Sequence, residues 1–209
     1  MRRLASINRE MRYKTREEQI LTEAAHLMRS RGYHAVSMQE IADRCGLQKG
    51  GLYHYFKSKE DILDRIFNGS YSIFLPALEE IALRNLDPEE KLRQAIERHI
   101  TILCENLDFA SVVLQDLRAL PEELRAGSRK KGDRYLELLR SFIDQGIAAG
   151  KFRPVNVPLI SLEIMGMLNW TFQWYSPTGQ LQPAQIAEVV WEFVSFGLMP
   201  VTKEQQRGS

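Results

Sequence analysis

The sequence predicts an all-α protein: an N-terminal three-helix helix-turn-helix followed by a larger helical domain. Three observations carry this. Ser37 to Gly46 has both a helix-starting and a helix-ending signature. Proline opens later periodic segments at Pro88, Pro121 and Pro183. Apolar residues recur at helical spacing, with no alternation of the kind strands need. At 209 residues and 44% hydrophobic content, the chain exceeds one average domain and can bury a core. The expected organisation is a basic arm over 1–14, the helix-turn-helix over 15–67, the larger domain over 68–200 and a tail over 201–209.

Arg2, Arg3, Arg9, Arg12, Lys14 and Arg16 precede or open the first helix, and suit either an arm on nucleic acid or a solubilising tail. Ser37 can cap a second helix that turns Ile41 and Ala42 inward; Glu40 completes a capping box and Gly46 stops the helix. A third helix, about Gln48 to His54, carries two adjacent glycines, each costing about 1 kcal/mol in a helix. Such a cost is explained if the backbone must approach a phosphate or base edge closely. Ser37, Lys49, Tyr53, Tyr55 and Lys57 are therefore expected to fix DNA phosphates, with Gly50, Gly51 and His54 nearest to bases. The plainer alternative is a helical hairpin with surface tyrosines. Charge supports DNA: residues 1–70 hold 13 Lys and Arg against 9 Asp and Glu, a net +4, while the remainder is net −3.

Ser58 caps the next helix, with Asp61 in its first turn and Ile62, Leu63, Ile66, Phe67, Ile73 and Phe74 in helical register. Asp87-Pro88 starts another, whose face of Leu92, Ile96, His99, Ile100 and Leu103 runs to about Asn106. A short helix over roughly Phe109 to Ala119 follows, then a long one from Pro121 to about Ala149. After a turn at Gly150 to Pro154, Val157 to Tyr175 and Pro183 to Leu198 form two apolar helices. Ile160, Ile164, Met167, Leu168 and Thr171 fall on one side of the first, with Leu162, Met165, Trp170, Phe172 and Trp174 on others. In the second, Ile186, Val189, Val190, Phe193 and Phe196 make a stripe. These two sets predict an intermolecular four-helix bundle between two copies, against the alternative of an ordinary monomeric core.

The order Ser37-Met38-Gln39-Glu40-Ile41-Ala42, Gly46-Leu47, Lys49-Gly50-Gly51-Leu52-Tyr53-His54-Tyr55-Phe56 and Lys57-Ser58-Lys59-Glu60-Asp61-Ile62-Leu63 resembles the DNA-binding domain of TetR-family regulators. Gln48 departs from it, since the family usually has a small hydroxyl cap there. The resemblance implies a homodimer on a palindromic double-stranded operator, with a C-terminal ligand-binding and dimerisation domain. Residues 166–181, including Trp170, Phe172, Trp174 and Tyr175, resemble the acyl-CoA-responsive branch. That implies a repressor of fatty-acid degradation genes, released by a fatty acyl-CoA.

An acyl chain needs an apolar tunnel, for which Leu103, Leu107, Phe109, Leu138, Phe142, Met165 and Phe172 are the candidates. Phosphates need cations, here Arg118 and Arg125, with Arg84, Arg93, Arg129, Lys130 and Arg134 also available. His99 reads as a core or pocket histidine.

Cys45 and Cys104 form no ligand set, so neither a metal nor any cofactor is expected. No signal peptide or membrane span is evident, which suits a cytoplasmic protein. Three rivals remain. One is a repressor answering another hydrophobic molecule, such as a drug, bile acid or aromatic metabolite; another is an effector-independent DNA binder. The third is an enzyme using Cys104 and His99, whose five-residue separation points them apart on a helix.

Overall fold

The computed structural model describes residues 2–116 and 119–200, with side chains for these except 2–13 and 128. Among the described residues every element is helical. The order is α1 (Arg2–Arg31), a 3-10 turn (Tyr33–Ala35), α2 (Met38–Arg44), α3 (Lys49–Leu52), α4 (Lys59–Leu83), α5 (Pro88–Glu105), α6 (Leu107–Asp116), α7 (Glu122–Ala148), α8 (Val157–Trp174) and α9 (Pro183–Leu198). The basic segment expected as an arm is helical from Arg2 and continuous with α1. Of its cations, Arg16 binds within the protein, donating to Gln19 and to the Cys45 carbonyl.

Two compact units divide the chain. The first comprises residues 1–70 and 108–128, the second 71–107 and 129–209, so α4 and α7 contribute to both. This differs from the sequential division expected at residue 67. The reason lies in the first unit's core, where Ile20, Met28, Ile41, Leu52, Phe56 and Phe67 are joined by Val112 of α6 and by Leu120. Polar contacts fix α6 at its start: Asp108 accepts from Arg29 at 2.8 Å and lies 3.1 Å from His26 Nδ1.

The predicted punctuation accounts for the helix ends. The Glu40 N–H donates to Ser37 Oγ (3.2 Å) and the Ser37 N–H to Glu40 Oε2 (2.8 Å), closing the capping box. Gly46 stops α2 at φ 64°, a left-handed conformation that favours glycine. The Asp61 N–H donates to Ser58 Oγ at the start of α4. Lys59 Nζ holds the chain before α2, donating to the carbonyls of Tyr33 (2.9 Å) and Val36 (2.8 Å) and lying 4.2 Å from the Tyr33 ring centre.

In the second unit, Leu92, Ile96 and Ile100 of α5, Phe142 and Ile143 of α7, Ile164 and Leu168 of α8, and Ile186, Val194 and Leu198 of α9 are buried. Gly150, at φ 70°, turns the chain out of α7, and the Lys151 and Phe152 N–H groups return to the Gly146 carbonyl. The Phe152 ring then fills the space where a Gly146 side chain would stand.

Candidate nucleic-acid interface and effector domain

Helices α2 and α3, joined through Gly46, build the helix-turn-helix. Leu52 and Phe56 are fully buried and root the second helix, leaving Lys49, Gly50, Tyr53, His54 and Lys57 exposed and Gly51 and Tyr55 half-buried. The regular helix is shorter than expected, Lys49–Leu52, and Gln48 caps it without a side-chain hydrogen bond. Neither glycine has a positive φ. A Cβ on Gly50 would meet nothing within 4 Å, and one on Gly51 only the Leu47 side chain, at 3.8 and 3.9 Å. The folded protomer therefore has no steric need for this pair.

The charges divide into used and unused. Arg31 pairs with Glu40 (2.6 Å), Arg44 with Glu23 (2.8 Å), and Arg65 with Glu17. Lys49 and Lys57 make no ion pair among the described residues and remain outward. Ser37 corrects one expectation: its hydroxyl donates to Glu40 Oε2 at 2.8 Å while accepting the Glu40 N–H, so its one proton is committed to the cap. Those contacts with Ser37, then Arg31, hold the exposed Glu40 carboxyl down at about 2.

The expected tunnel residues do not share a unit. Leu103, Leu107, Leu138, Phe142, Met165 and Phe172 belong to the second, Phe109 and Arg125 to the first, and Arg118 lies outside the described residues. Leu103, Leu107, Leu138 and Phe142 are buried, while Phe109, Met165 and Phe172 are half-buried. Arg125 pairs with Glu122 at 2.5 Å, Arg84 with Glu80 at 2.6 Å, Arg93 with Glu188 at 3.1 Å and Arg134 with Glu137 at 3.2 Å. Most cations proposed for phosphates thus already hold carboxylates.

His99, read from the sequence as a core or pocket histidine, is buried, with partners the sequence did not indicate. Its Nδ1 lies 2.9 Å from the Tyr135 hydroxyl, and Phe74 packs against its ring. Burial drives its pKa down to about 4, an effect opposed by Asn169, so the ring is neutral. A narrow crevice beside it, without room for a water molecule, is lined by Phe74, Leu78, Ile81, Arg98, Ile102 and Tyr135 among others. None of the expected tunnel residues lines this space. Burial also pushes the Cys104 thiol up to about 11, the reverse of what an activated nucleophile needs.

The apolar faces of α8 and α9 need a second correction. Ile164, Leu168, Thr171 and Ile186 are buried within the protomer, so they cannot face another copy. Ile160, Met167 and Val190 are half-buried. The exposed apolar face instead consists of Leu159, Leu162, Trp170 and Trp174 on α8 and Val189, Phe193 and Phe196 on α9, the last 82% exposed. Among the described residues, no helix is long and apolar enough to cross a membrane.

Comparison with known proteins places this arrangement. Residues 20–66 match the family model for bacterial regulatory proteins of the tetR family, and residues 85–198 that for the tetracyclin repressor-like C-terminal domain. The chain belongs to the TetR family. Family membership makes it a transcriptional regulator. It is similar to the fatty acid metabolism regulator protein of Bacillus subtilis (strain 168), with 30% identity over 73% of this chain and 79% of the relative. It is 29% identical to the transcriptional repressor KstR2 of Mycobacterium tuberculosis, over 91% of this chain and 94% of that one. Among solved structures it resembles AibR in complex with isovaleryl coenzyme A and operator DNA, at TM-score 0.78 and 30% identity, covering 85% of this chain and 97% of AibR.

Proposed function

We propose that this TetR-family protein is a dimeric, cytoplasmic repressor of fatty-acid degradation genes, bound to a palindromic operator and released by a fatty acyl-CoA. The sterically unexplained glycine pair, Gly50 exposed and Gly51 half-buried, between outward-facing Lys49 and Tyr53 carries the DNA reading. Gly50, Gly51 and His54 approach the bases while Lys49, Tyr53, Tyr55 and Lys57 hold phosphates. The apolar face of Leu159, Leu162, Trp170, Trp174, Val189, Phe193 and Phe196 suits a second copy, whose recognition helix must lie about 34 to 36 Å from the first.

The acyl-CoA reading is supported by relatives of two kinds: a regulator named for fatty-acid metabolism and a structure containing isovaleryl coenzyme A. KstR2, named in its solved structure as a ketosteroid regulator, favours a second reading in which the effector is a steroid derivative. Fluorescence anisotropy on the protein's own upstream DNA separates them. The protein is titrated with short- and long-chain acyl-CoA, free CoA, free fatty acid and a ketosteroid. Release by one acyl-CoA class alone supports the first reading, while tight binding unmoved by any acyl-CoA discards it.

A further inference from the structure

The side of α1 that packs on the helix-turn-helix does not end where the core ends. Ile20 is fully buried in the first unit's core and Leu27 packs against that core, while Glu23, between them, pairs with Arg44 of α2 at 2.8 Å. About one turn before Ile20, on the same side, Arg16 donates to the Cys45 carbonyl in the turn between α2 and α3. This side of α1 therefore lies against the element that presents the recognition helix.

Helix α1 runs unbroken from Arg16 back to Arg2. At 3.6 residues per turn, positions 12, 9 and 2, all arginine, fall within about 40° of Arg16 around the helix, and Ala5 is the only other residue of 2–16 in that sector. Glu10, the one carboxylate among residues 2–16, falls about 120° away, and Leu4, Ile7 and Met11 fall about 120° or more away. A solubilising segment has no need of register, whereas a rod laid along a polyanion does. From Arg16 to Arg2 the stripe covers about 21 Å, the length of about six base pairs of duplex.

We infer that the N-terminal half of α1 is a second DNA-binding surface, in which Arg2, Arg9 and Arg12 meet phosphates flanking the bases read by α3, while Arg16 fixes the helix to the turn that positions α3. The inference rests on the operator reading above. Phosphates carry no sequence, so these contacts add affinity and salt dependence without changing which bases are preferred.

The test compares substitutions of equal charge on two sides of the helix. Arg9→Gln/Arg12→Gln takes two cations from the stripe, and Arg3→Gln/Lys14→Gln takes two from about 140° or more away. Glutamine matches arginine and lysine closely in helix propensity, and all four positions precede the core, so both variants should fold. Anisotropy between about 50 and 200 mM salt reads affinity for an operator ending at its half-sites and for one extended at each end by about ten base pairs. Each phosphate contact contributes about 0.9 to the slope of log affinity against log salt. On the extended operator the stripe variant, as a dimer, should lose about 2 to 4 from that slope and at least about tenfold in affinity at low salt, and the other variant less than half as much. On the short operator both variants should bind within about threefold of wild type. Equal losses in the two variants, or losses independent of the flanks, would overturn the inference while leaving operator binding intact. Unchanged slopes with capture of the wild type by phosphatidylglycerol vesicles would overturn it in favour of a lipid surface. Wild type that does not prefer operator to random DNA would overturn both this inference and the operator reading.

Discussion

Gly50→Ala should make the protein more stable and worse at binding DNA. Gly50 lies in α3 without a positive φ, and its added methyl would meet no protein atom within 4 Å. Alanine then gains helix propensity and loses less backbone entropy on folding, a stabilisation of about 0.5 to 1 kcal/mol. For a chain of this length that raises Tm by about 1 to 4 °C. The same methyl stands on the outward surface beside Lys49 and Tyr53, where it holds the helix backbone away from the groove. Loss of one good base or phosphate contact costs about 1 to 3 kcal/mol, so operator affinity should fall about 5- to 150-fold per half-site. Thermal unfolding and operator anisotropy at fixed salt read the two effects separately. Unchanged operator affinity in the stabilised variant would refute the recognition-helix assignment; lower stability would refute the claim that the protomer has no use for this glycine.

Further outcomes follow from other contacts. Phe193→Glu, on a side chain 71% exposed in the protomer, should yield monomers by analytical ultracentrifugation and abolish operator binding, whereas Leu168→Ala should cost the protomer about 2 to 5 kcal/mol in urea unfolding. A dimer retained by Phe193→Glu would remove this face from the interface. Gly146→Ala places a methyl about 2.1 Å from Phe152 Cδ2, so it should lower stability by about 1 to 3 kcal/mol, an effect relieved by Phe152→Ala in the same chain. The Glu40 carboxylate has a folded-state pKa below its unfolded value, so its contribution to the α2 cap is full above the ordinary carboxylate range and fades as pH falls towards about 2. Amide exchange at the start of α2 should accelerate over that interval in wild type and show no such dependence in Glu40→Gln.

Local chemistry was the legible part of this sequence. Ser37, Glu40, Gly46, Ser58 and Pro88 mark helix ends through contacts spanning a few residues, and the helices begin and stop near them. The exposure of Lys49, Tyr53, His54 and Lys57 was legible for the same reason, as was the Ser37–Glu40 cap. Periodicity fails where a helix is apolar nearly all round. In α8, Ile164 and Leu168 compete with Leu159, Leu162 and Trp170 for the inside, and only packing against α5 and α9 settles which face is inward. The stripe 159, 162, 166, 170, 174 was itself a readable helical signal. Tyr135 and Asn169 are 36 and 70 residues from His99, beyond any pattern a linear reading can use.

The incorporation of residues 108–128 into the first unit bears on how such regulators can be recombined. Cutting the chain after residue 70 would strip Val112 and Leu120 from a core they help close and leave Arg29 without its Asp108 carboxylate. A transplantable DNA-reading head must therefore be discontinuous, taking α6 and the start of α7 along with α1, α2, α3 and the part of α4 up to residue 70. Chimeras that exchange only the first 70 residues should aggregate through that bared seam. Designs that carry both segments retain a closed surface on which a new sensor domain can be built.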